Sequence, residues 1–478
     1  MSVVNDAVVD RFFIDGEWVA ARGGARVTVT DSATGEALAE VACADSADVA
    51  AAVAAARAAA PGWARTPREE RGRMLAALGD RLADRVDELA RLEAREVGTP
   101  IDQSRADQVL AAVDHLRRIP AEIEQIDWEA DALRARAVRE PIGTVGAIAP
   151  WNFPLQIIAA KAGAALAAGC PIVVKVSEVA PLSSFAFAEE AAEVGLPPGV
   201  LNVLTGLGSG AGEALVTDPG VDKISFTGSV ATARRIAAAA APSLKPLAFE
   251  LGGKSASVVL EDADLDQAVR GTIANCFAAS GQICDATTRL LVPRQRLDEV
   301  LEIAAASIEE EWAVGPPLED GTKVGPLVSE TQRERVSAYI AAGVAEGAAL
   351  VTGGTGTPAG HERGYFVKPT VFSADAEMRI AREEIFGPVL TVLGYEDGED
   401  GAITMANDSP YGLGGAVWSS DRERSIEVAR RIRTGNVLIN GAGLDGSAPF
   451  GGFGQSGFGR ENGRWGIEEF TAWKALHL

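Results

Sequence analysis

The sequence predicts an α/β protein built from two doubly wound domains. Between residues 143 and 241, short apolar stretches alternate with Ala-rich stretches of helical periodicity, and the alternation resumes after residue 284. Repeated βα units of this kind form parallel sheets that bind ligands outside the carboxyl ends of their strands. The length of 478 residues also suits more than one domain, because a domain usually holds about 150 residues.

The first elements are predicted to be strands. Phe12–Trp18 alternates like a strand with a tight turn at Asp15-Gly16, and Arg26–Thr30 is a candidate partner in a hairpin.

Helices are predicted to follow. Helical periodicity extends from Ser46 to Val97, with a break at Pro61-Gly62. A further helical stretch, Ile101–Ile126, is expected to end near Pro120, and the charged segment Ala130–Val138 has the alternation of an extended strand.

The βα series then defines the first doubly wound domain. Its strands and helices alternate over Gly146–Ala149, Leu155–Ala168, Ile172–Lys175, Pro181–Val194, Val200–Thr205, Ala211–Val216, Lys223–Thr227 and Val230–Ala241. A nucleotide is the ligand that such a sheet most often binds. The second series comprises Leu290–Val292, Leu297–Glu310, Thr331–Glu346 and strands near Ala349, Val389 and Ala416.

Composition excludes several classes of protein. The formal net charge is −23, so nucleic-acid phosphates and anionic membranes would repel the chain. No apolar run reaches the roughly 18 residues of a membrane-spanning helix. Residues 1–18 carry three aspartates and lack the basic region of a secretory signal. We therefore expect a cytoplasmic protein with no nucleic-acid or membrane partner.

The cysteines and histidines restrict the possible chemistry. Cys43, Cys170, Cys276 and Cys284 lack CxxC spacing, which argues against a disulfide framework or a structural zinc site, and we predict no metal site. None of the three histidines lies near Cys284 in sequence. A nucleophilic Cys284 would therefore call for a carboxylate base.

Gly281–Cys284 lies between a helical stretch, Leu265–Ala279, and a β-branched run, Thr287–Val292. Glycine lets such a loop approach a ligand closely, which suits a nucleophile. A free cysteine is equally often a small buried hydrophobic residue. The motif alone does not separate these two interpretations.

Three other turns contain candidate residues. In Pro150–Pro154, Asn152 could donate a hydrogen bond to an oxyanion or form an Asx turn. Ser229, after Gly228, could bind an anion at a helix N-terminus or simply cap that helix. Glu250, beside a double-glycine turn, is a candidate base with Lys254 as its candidate partner, although most loop glutamates are merely solvated.

Taken together, these segments resemble the NAD(P)-dependent aldehyde dehydrogenases along almost the whole chain. The matching motifs are, in order, Pro150–Pro154, Lys175–Glu178, Phe226–Ser229, Glu250–Lys254, Gly281–Cys284, Glu384–Pro388, and Pro449–Gly452 with Ser456–Glu461.

The resemblance implies a role for each catalytic candidate. Cys284 would attack the aldehyde, while Asn152 and the main-chain N–H of Cys284 would hold the oxyanion. Hydride transfer to NAD would leave a thioester, and Glu250 would activate the water that hydrolyses it. Lys161 and Glu461 match positions that the family uses in proton relay.

The resemblance also implies an NAD site and a domain division. The cofactor contacts would be Ile148, Pro150, Trp151, Lys175, Glu178, Phe226, Gly228, Ser229, Leu251, Glu384 and Phe386. Residues 1–120 and 140–251 would form a Rossmann-like NAD-binding domain, and residues 252–448 the catalytic domain. Residues 121–139 and 449–478 would form a small β extension that pairs subunits into a homodimer or homotetramer.

Some positions depart from the family pattern. Val176 and Ala233 stand where the family usually has proline and glycine. The motif sequences most resemble those of the betaine and amino aldehyde branch. However, Ala160 and Ala278 stand where that branch surrounds a cation with aromatic rings. Asp285 could still favour a cation, or it could cap a turn. A semialdehyde or coenzyme A-acylating dehydrogenase, or a non-catalytic relative, remains the alternative to an NAD-dependent dehydrogenase that forms a carboxylic acid.

Overall fold

The computed structural model describes residues 8–478, which form four β-sheets and sixteen α-helices. Residues 1–7, on which part of the N-terminal prediction falls, lie outside the described residues. The strands are β1 (Val8–Val9), β2 (Arg11–Ile14), β3 (Glu17–Ala20), β4 (Arg26–Thr30), β5 (Ala37–Ala42), β6 (Glu129–Ala132), β7 (Ala135–Pro141), β8 (Val145–Ile148), β9 (Ile172–Val176), β10 (Leu201–Thr205), β11 (Lys223–Gly228), β12 (Leu247–Leu251), β13 (Ala256–Val259), β14 (Arg289–Pro293), β15 (Ala349–Thr352), β16 (Thr370–Ser373), β17 (Val389–Tyr395), β18 (Gly415–Trp418), β19 (Leu438–Ile439), β20 (Gly457–Phe458) and β21 (Thr471–His477).

The helices are α1 (Ser46–Arg65), α2 (Arg68–Ala83), α3 (Val86–Val97), α4 (Ile101–Gln103), α5 (Ala111–Glu124), α6 (Pro154–Ala168), α7 (Leu182–Glu193), α8 (Glu213–Thr217), α9 (Val230–Ala240), α10 (Leu265–Phe277), α11 (Leu297–Glu311), α12 (Glu330–Ala345), α13 (Arg379–Arg382), α14 (Gly398–Asn407), α15 (Arg422–Arg431) and α16 (Gly463–Glu468). Two π-helical stretches, Ser104–Leu110 and Gly208–Gly212, precede α5 and α8. Among the described helices, none is both long and apolar enough to cross a bilayer.

An eight-stranded sheet carries the first βα series. Its order is β20-β12-β11-β8-β9-β10-β2-β3, and the five strands from β12 to β10 are parallel. The chain moves from β8 outward to β9 and β10, then crosses to β11 and β12 on the other side of β8. The carboxyl ends of β8 and β11 therefore border the switch point, where ligands bind in such sheets.

A seven-stranded sheet carries the second series. Its order is β15-β16-β17-β14-β13-β18-β19, and all its strands except β15 are parallel. Both predicted doubly wound sheets are therefore confirmed. Strand β13 was absent from the sequence prediction, because Ala256–Val259 is short and follows the extended run of β12 after a turn.

Helices cover both faces of each sheet. In β9, Val174 packs with α2, α5, α6 and α7, whereas the neighbouring Val173 faces the opposite core with residues of α1, α8 and α9. In β14, Leu290 and Leu291 likewise face separate cores. Strands buried on both faces appear in the sequence as continuous apolar runs, and these runs allowed the strands to be predicted.

The N-terminal strands agree with the prediction only in part. Strands β2 and β3 form the expected hairpin around Asp15-Gly16, both of which have positive φ, and β2 joins the edge of the large sheet at β10. Arg26–Thr30 does not pair with this hairpin. It pairs with Ala37–Ala42, because the tight turn over Asp31–Gly35 brings those two strands together.

Two helices continue past prolines at which the sequence predicted a break or an end. Helix α1 continues through Pro61 to Arg65, because the Trp63 side chain is buried and its indole N–H donates to the Leu166 carbonyl, 3.1 Å away. Helix α5 continues through Pro120 to Glu124, since its packing on α2 and α6 outweighs one lost hydrogen bond.

A small three-stranded sheet, in the order β21-β7-β6, stands apart from the two large ones. The segment Ala130–Val138 is a hairpin rather than one strand, and β21 pairs with β7 within the same chain. The aromatic and aliphatic side chains of Leu133, Trp473, Leu476 and Leu478 are exposed on this sheet. Of residues 449–478, the strand Gly457–Phe458 pairs instead with β12 in the eight-stranded sheet.

Candidate active site

A cavity of about 960 Å³ lies beside the switch point of the eight-stranded sheet. The turn after β8, the turn after β11, the end of β12 and the loop after α10 all line it. It contains the predicted residues Pro150, Trp151, Asn152, Gly228, Ser229, Glu250, Leu251, Cys284, Glu384, Phe386 and Glu461. Residues from both large sheets thus meet in one space.

The backbone before Cys284 has an unusual conformation. Ala279, Ser280 and Gly281 have φ of +46°, +58° and +72°, in the left-handed region that non-glycine residues rarely adopt. A Cβ at Gly281 would overlap the main chain of Gly387, so only glycine fits there. The glycine therefore serves a close backbone approach, as the sequence analysis proposed, and the loop holds Cys284 in the cavity wall.

Asn152 is joined directly to this loop. Its Nδ2 donates a hydrogen bond to the main-chain carbonyl of Gln282, 2.9 Å away, and its side chain is buried. Gln282 is itself fixed, since its Oε1 accepts from the Val328 N–H at 3.0 Å. The amide of Asn152 is thus oriented toward the loop that bears the thiol and does not form the alternative Asx turn.

The surroundings of Cys284 raise the pKa of its thiol. Burial raises its pKa well above the usual value, and the charges of Asp285, Glu250 and Glu384 raise it further. A hydrogen bond from its own main-chain N–H acts in the opposite direction. Because the thiolate is the nucleophilic form, burial and these negative charges oppose the reactivity of the thiol in the free protein.

Glu250 lies near the end of β12 and is buried. Its Oε2 has no hydrogen-bond partner within residues 8–478. Burial raises the pKa of Glu250 well above that of an ordinary glutamate, and Glu461 raises it further, whereas Lys161 and Arg460 lower it. A buried carboxyl with an unpaired oxygen and a raised pKa suits a general base.

Lys161, which is buried, and Glu461, which is partly exposed, form an ion pair whose charges act on Glu250. Lys161 Nζ lies 2.6 Å from Glu461 Oε1 and donates to Ser225 Oγ at 2.9 Å. Lys254, the partner first considered for Glu250, is placed elsewhere. It is fully buried, and its Nζ has no hydrogen-bond partner in the described part of the chain.

Glu384 and Phe386 lie on the far side of Cys284. Glu384 Oε1 accepts from the Gly253 N–H at 3.3 Å, and burial raises its pKa to about 7. A Cβ at Gly252 would overlap the Glu384 carboxyl. The Phe386 ring stands perpendicular to that of Trp151, with their centroids 5.4 Å apart. Two segments distant in sequence therefore meet at this wall.

The remaining predicted cofactor residues line up across the sheet rather than in the cavity. Phe226, Ile148 and Lys175 are paired neighbours near the ends of β11, β8 and β9. The Lys175 ammonium lies 2.7 Å from Glu178 Oε2. Together they form one row at the carboxyl edge of the sheet.

Ser229 is the N-cap of α9, and its Oγ accepts from the Thr232 N–H at 3.3 Å. The capping interpretation of this serine is therefore confirmed. Gly228 and Ser229, which immediately precede α9, nevertheless line the cavity, so the N-terminal dipole of α9 is directed toward it.

Sequence reasoning missed several side chains around the cavity. His115 lines it, although none of the histidines lies near Cys284 in sequence, and burial lowers the pKa of this imidazole to about 4. Arg118 also lines it and donates to the Gly446 carbonyl at 3.2 Å. Both lie on α5, within the predicted helical stretch, but no motif or spacing marked either of them.

Comparisons with known proteins agree with this geometry. The model of the aldehyde dehydrogenase family matches residues 18–476. The 3-succinoylsemialdehyde-pyridine dehydrogenase of a Pseudomonas species is 46% identical over 467 residues, which cover 97% of this chain and 98% of that protein.

Solved structures show the same fold. A mutant of aldehyde dehydrogenase C from Pseudomonas syringae, in complex with NAD+ and octanal, has a TM-score of 0.96 and 44% identity, covering 98% of this chain and 96% of its own. An aldehyde dehydrogenase of Mycobacterium tuberculosis, in complex with NAD+, has a TM-score of 0.95 and 43% identity, covering 99% of this chain and 98% of its own.

Proposed function

This chain belongs to the aldehyde dehydrogenase family, and we propose that Cys284 is the nucleophile through which it oxidises an aldehyde to a carboxylic acid with NAD. The observation that carries this proposal is the 2.9 Å hydrogen bond from Asn152 to the Gln282 carbonyl. It fixes an amide donor beside the loop of the thiol, where negative charge would develop on the attacked carbonyl oxygen.

In the first step, the Cys284 thiol releases its proton to solvent, its sulfur forms a bond to the carbonyl carbon, and the π electrons move to the oxygen. The Asn152 amide and the Cys284 main-chain N–H stabilise this oxyanion. Bound NAD would supply the acceptor for the hydride that leaves the carbon. Cys284 then holds the acyl group as a thioester.

In the second step, Glu250 takes a proton from water. The water oxygen attacks the thioester carbon, the C–S bond breaks, and the carboxylic acid leaves. The Cys284 sulfur departs as a thiolate and takes a proton from solvent to restore the thiol. The pair of Lys161 and Glu461 provides a route by which the proton leaves Glu250. A carboxylate placed to activate water favours hydrolysis over acyl transfer to coenzyme A.

The residues around the cavity suit NAD. Lys175 and Glu178 would hold the adenosine ribose, and the first turn of α9, with Gly228 and Ser229, the pyrophosphate. Ile148, Pro150, Trp151, Phe226 and Leu251 form apolar and main-chain contacts along the same edge. Glu384 and Phe386 would hold the nicotinamide ribose beside Cys284. Gly252 has no side chain and so leaves room for the Glu384 carboxyl, which a Cβ at this position would overlap.

The substrate is proposed to be an uncharged aldehyde with a long alkyl or aromatic end. The cavity has apolar walls that include Phe153, Ile157 and Phe450, and Ala278 stands where an aromatic cage would be needed for a quaternary ammonium ion. One of the relatives named above is a 3-succinoylsemialdehyde-pyridine dehydrogenase and another was solved with octanal, which supports an apolar substrate.

We further propose a homodimer or homotetramer located in the cytoplasm. The exposed apolar side chains of the sheet β21-β7-β6 support its assignment to subunit pairing. Residues 1–120 and 140–251 would be the NAD-binding domain, 252–448 the catalytic domain, and 121–139 with 449–478 the pairing segments, apart from Gly457–Phe458, which pairs with β12, and Glu461, which lines the cavity.

Trapping the acyl enzyme tests the proposed nucleophile. The Glu250→Gln variant, mixed with NAD and octanal and quenched in acid, should carry the octanoyl mass on the peptide of Cys284. Cys284→Ala should show no adduct and no oxidation while still binding NAD. Cys170→Ala, which removes a buried thiol elsewhere, should keep both. An adduct on another cysteine, or oxidation by Cys284→Ala, would overturn the assignment.

A further inference from the structure

Two buried glutamates lie three residues apart on α3. Glu93 and Glu96 have no solvent exposure, and they occupy the same buried face as Leu89, Ala90 and Val97. Neither takes part in an ion pair with any residue in the range 8–478. Carboxyl groups at core positions without a cation are costly to bury, so each needs another source of compensation.

The compensation comes from two helix N-termini. Glu93 Oε1 accepts a hydrogen bond from the Leu155 N–H in the first turn of α6, 3.1 Å away. Glu96 accepts from the N–H groups of Leu182 and Ser183 in the first turn of α7, at 2.8 and 3.1 Å. Burial raises the pKa of each carboxyl to about 8, while these N–H groups lower it.

Both helices lack a cap of their own. Phe153 precedes α6 and Pro181 precedes α7, and neither supplies a side-chain cap. The free N–H groups of a first turn need acceptors when they are buried. Helix α3 therefore supplies the hydrogen-bond acceptors that the residues before α6 and α7 do not provide. Its two glutamates connect the N-termini of both helices to α3.

These two helix starts follow the turns that carry the proposed site. The turn before α6 holds Asn152, and the turn before α7 holds Glu178. The Ser184 hydroxyl of α7 also donates to the Pro154 carbonyl of α6 at 3.2 Å, which joins the two starts. Each glutamate nevertheless accepts main-chain N–H groups from only one of the two starts, Glu93 from the start that follows Asn152 and Glu96 from the start that follows Glu178.

We propose that Glu93 and Glu96 are positioning residues with separate tasks, Glu93 holding Asn152 for attack on the aldehyde and Glu96 holding Glu178 for the cofactor ribose. This inference rests on the function proposed above. It predicts that loss of Glu93 affects turnover and that loss of Glu96 affects NAD binding.

Methionine variants separate the two tasks, because methionine fills a similar volume without accepting a hydrogen bond. Glu93→Met should lower kcat with octanal by about ten- to a hundredfold, since small misplacements cost this much, and leave the Kd of NAD unchanged. Glu96→Met should raise the Kd of NAD about tenfold, which corresponds to the loss of one good cap, and leave kcat at saturating NAD within about threefold. Glu93→Gln and Glu96→Gln retain an acceptor oxygen and should restore most of each loss.

A double-mutant cycle decides whether each glutamate acts through its partner. In an Asn152→Ala background, Glu93→Met should change kcat less than about threefold, because the group it positions is already gone. Glu96→Met should likewise add little to the Kd of NAD in a Glu178→Ser background. Arg91→Met, at an exposed position of α3, is the control for helix α3 itself. If Glu93→Met does not fold, Glu93→Asp, which shortens the reach of the carboxyl, enters the same cycle.

The outcomes separate this inference from the proposed function. If Asn152→Ala leaves kcat unchanged, the role of Asn152 fails and the proposed function with it. If Asn152→Ala lowers kcat and Glu93→Met multiplies that loss in full, only the positioning role of Glu93 is wrong. Equal losses of kcat and NAD binding in both methionine variants would show that the glutamates merely support the fold.

Discussion

Lys161 and Glu461 are 300 residues apart in sequence, yet the ammonium of one lies 2.6 Å from the carboxylate of the other. Their charges act on Glu250 with opposite signs, since Glu461 raises its pKa and Lys161 lowers it. The pair therefore adjusts the pH at which Glu250 can accept a proton from water.

Opposite shifts of the pH profile are the expected result of removing each partner. Glu250 works as a base only when deprotonated, so thioester hydrolysis should rise with pH through its pKa. Glu461→Gln removes a negative charge and should move this rise to lower pH, whereas Lys161→Met should move it to higher pH. The rate of thioester decay after a single turnover, measured across the pH range, reports both shifts. Shifts in the same direction would contradict this account of Glu250.

Asn152 should be required for turnover but not for cofactor binding. Asn152→Ala removes one donor to the developing oxyanion and should lower kcat about 10²–10³-fold. The Kd of NAD, measured by fluorescence, should stay the same because Asn152 contacts the thiol loop. Asn202→Ala in β10, a buried asparagine that donates to the Gly199 carbonyl, is the control. A variant with normal kcat would exclude Asn152 from the oxyanion site.

The elements that the sequence predicts well are those whose burial is uniform. Ile172–Val176 is buried on both faces and is β-branched almost throughout, so the strand was evident. The two proline-containing helices were not, because the packing of Trp63 and of α5 is a tertiary effect that no local pattern contains. Likewise, no spacing brings Arg26–Thr30 together with Ala37–Ala42 in preference to the first hairpin.

The candidate site could not be predicted from hydrophobic periodicity alone. Glu250, Cys284 and Asn152 come from separate segments, and their meeting in one cavity depends on both sheets. Only the order of the motifs indicated that they belong together. Glu93 and Glu96 were missed, although a signal was present: two acidic residues occupy apolar positions of an amphipathic helix. Such residues are buried only when something compensates for their charge.

Asp285 should hold the thiol of Cys284 in its unreactive form. It is the first of the charges that raise the pKa of Cys284, and its own pKa, raised by burial to about 6, leaves it ionised at higher pH. Asp285→Asn should therefore speed alkylation of Cys284 by iodoacetamide about three- to tenfold near pH 8, in the absence of NAD. The acceleration should vanish below the pKa of Asp285. Asp266→Asn, on an exposed face of α10, should react like the unaltered protein, and a slower Asp285→Asn would contradict the electrostatic account.

Removal of the C-terminal strand should weaken subunit assembly. β21 forms one edge of the sheet β21-β7-β6, and Arg139 stacks 4.2 Å over the exposed Trp473 ring. Deletion of residues 473–478 should shift the oligomer toward monomer in sedimentation equilibrium. The deletion removes most of the edge strand β21 and the exposed apolar side chains through which the partner subunit is proposed to pair. Leu476→Lys, which keeps the strand but adds a charge, should act in the same direction. A fully assembled and stable truncation would count against pairing through this sheet.

Cofactor choice should depend on Glu178, whose carboxylate lies 2.7 Å from the Lys175 ammonium after β9. A carboxylate there accepts hydrogen bonds from ribose hydroxyls, whereas the 2′-phosphate of NADP would face it with like charge. At an effective dielectric constant of about 20, two like charges about 4 Å apart cost about 4 kcal/mol. Lys175 offsets part of this cost because it can pair with the phosphate, so the preference for NAD should remain at about tenfold or more. The measurement is kcat/KM for both cofactors in the unaltered protein and in Glu178→Ser, with Glu193→Ser at the exposed end of α7 as the control. Glu178→Ser should gain NADP use and the control should not, because only Glu178 faces the ribose in the proposed NAD site. An unaltered protein that prefers NADP would show that Glu178 does not contact the ribose.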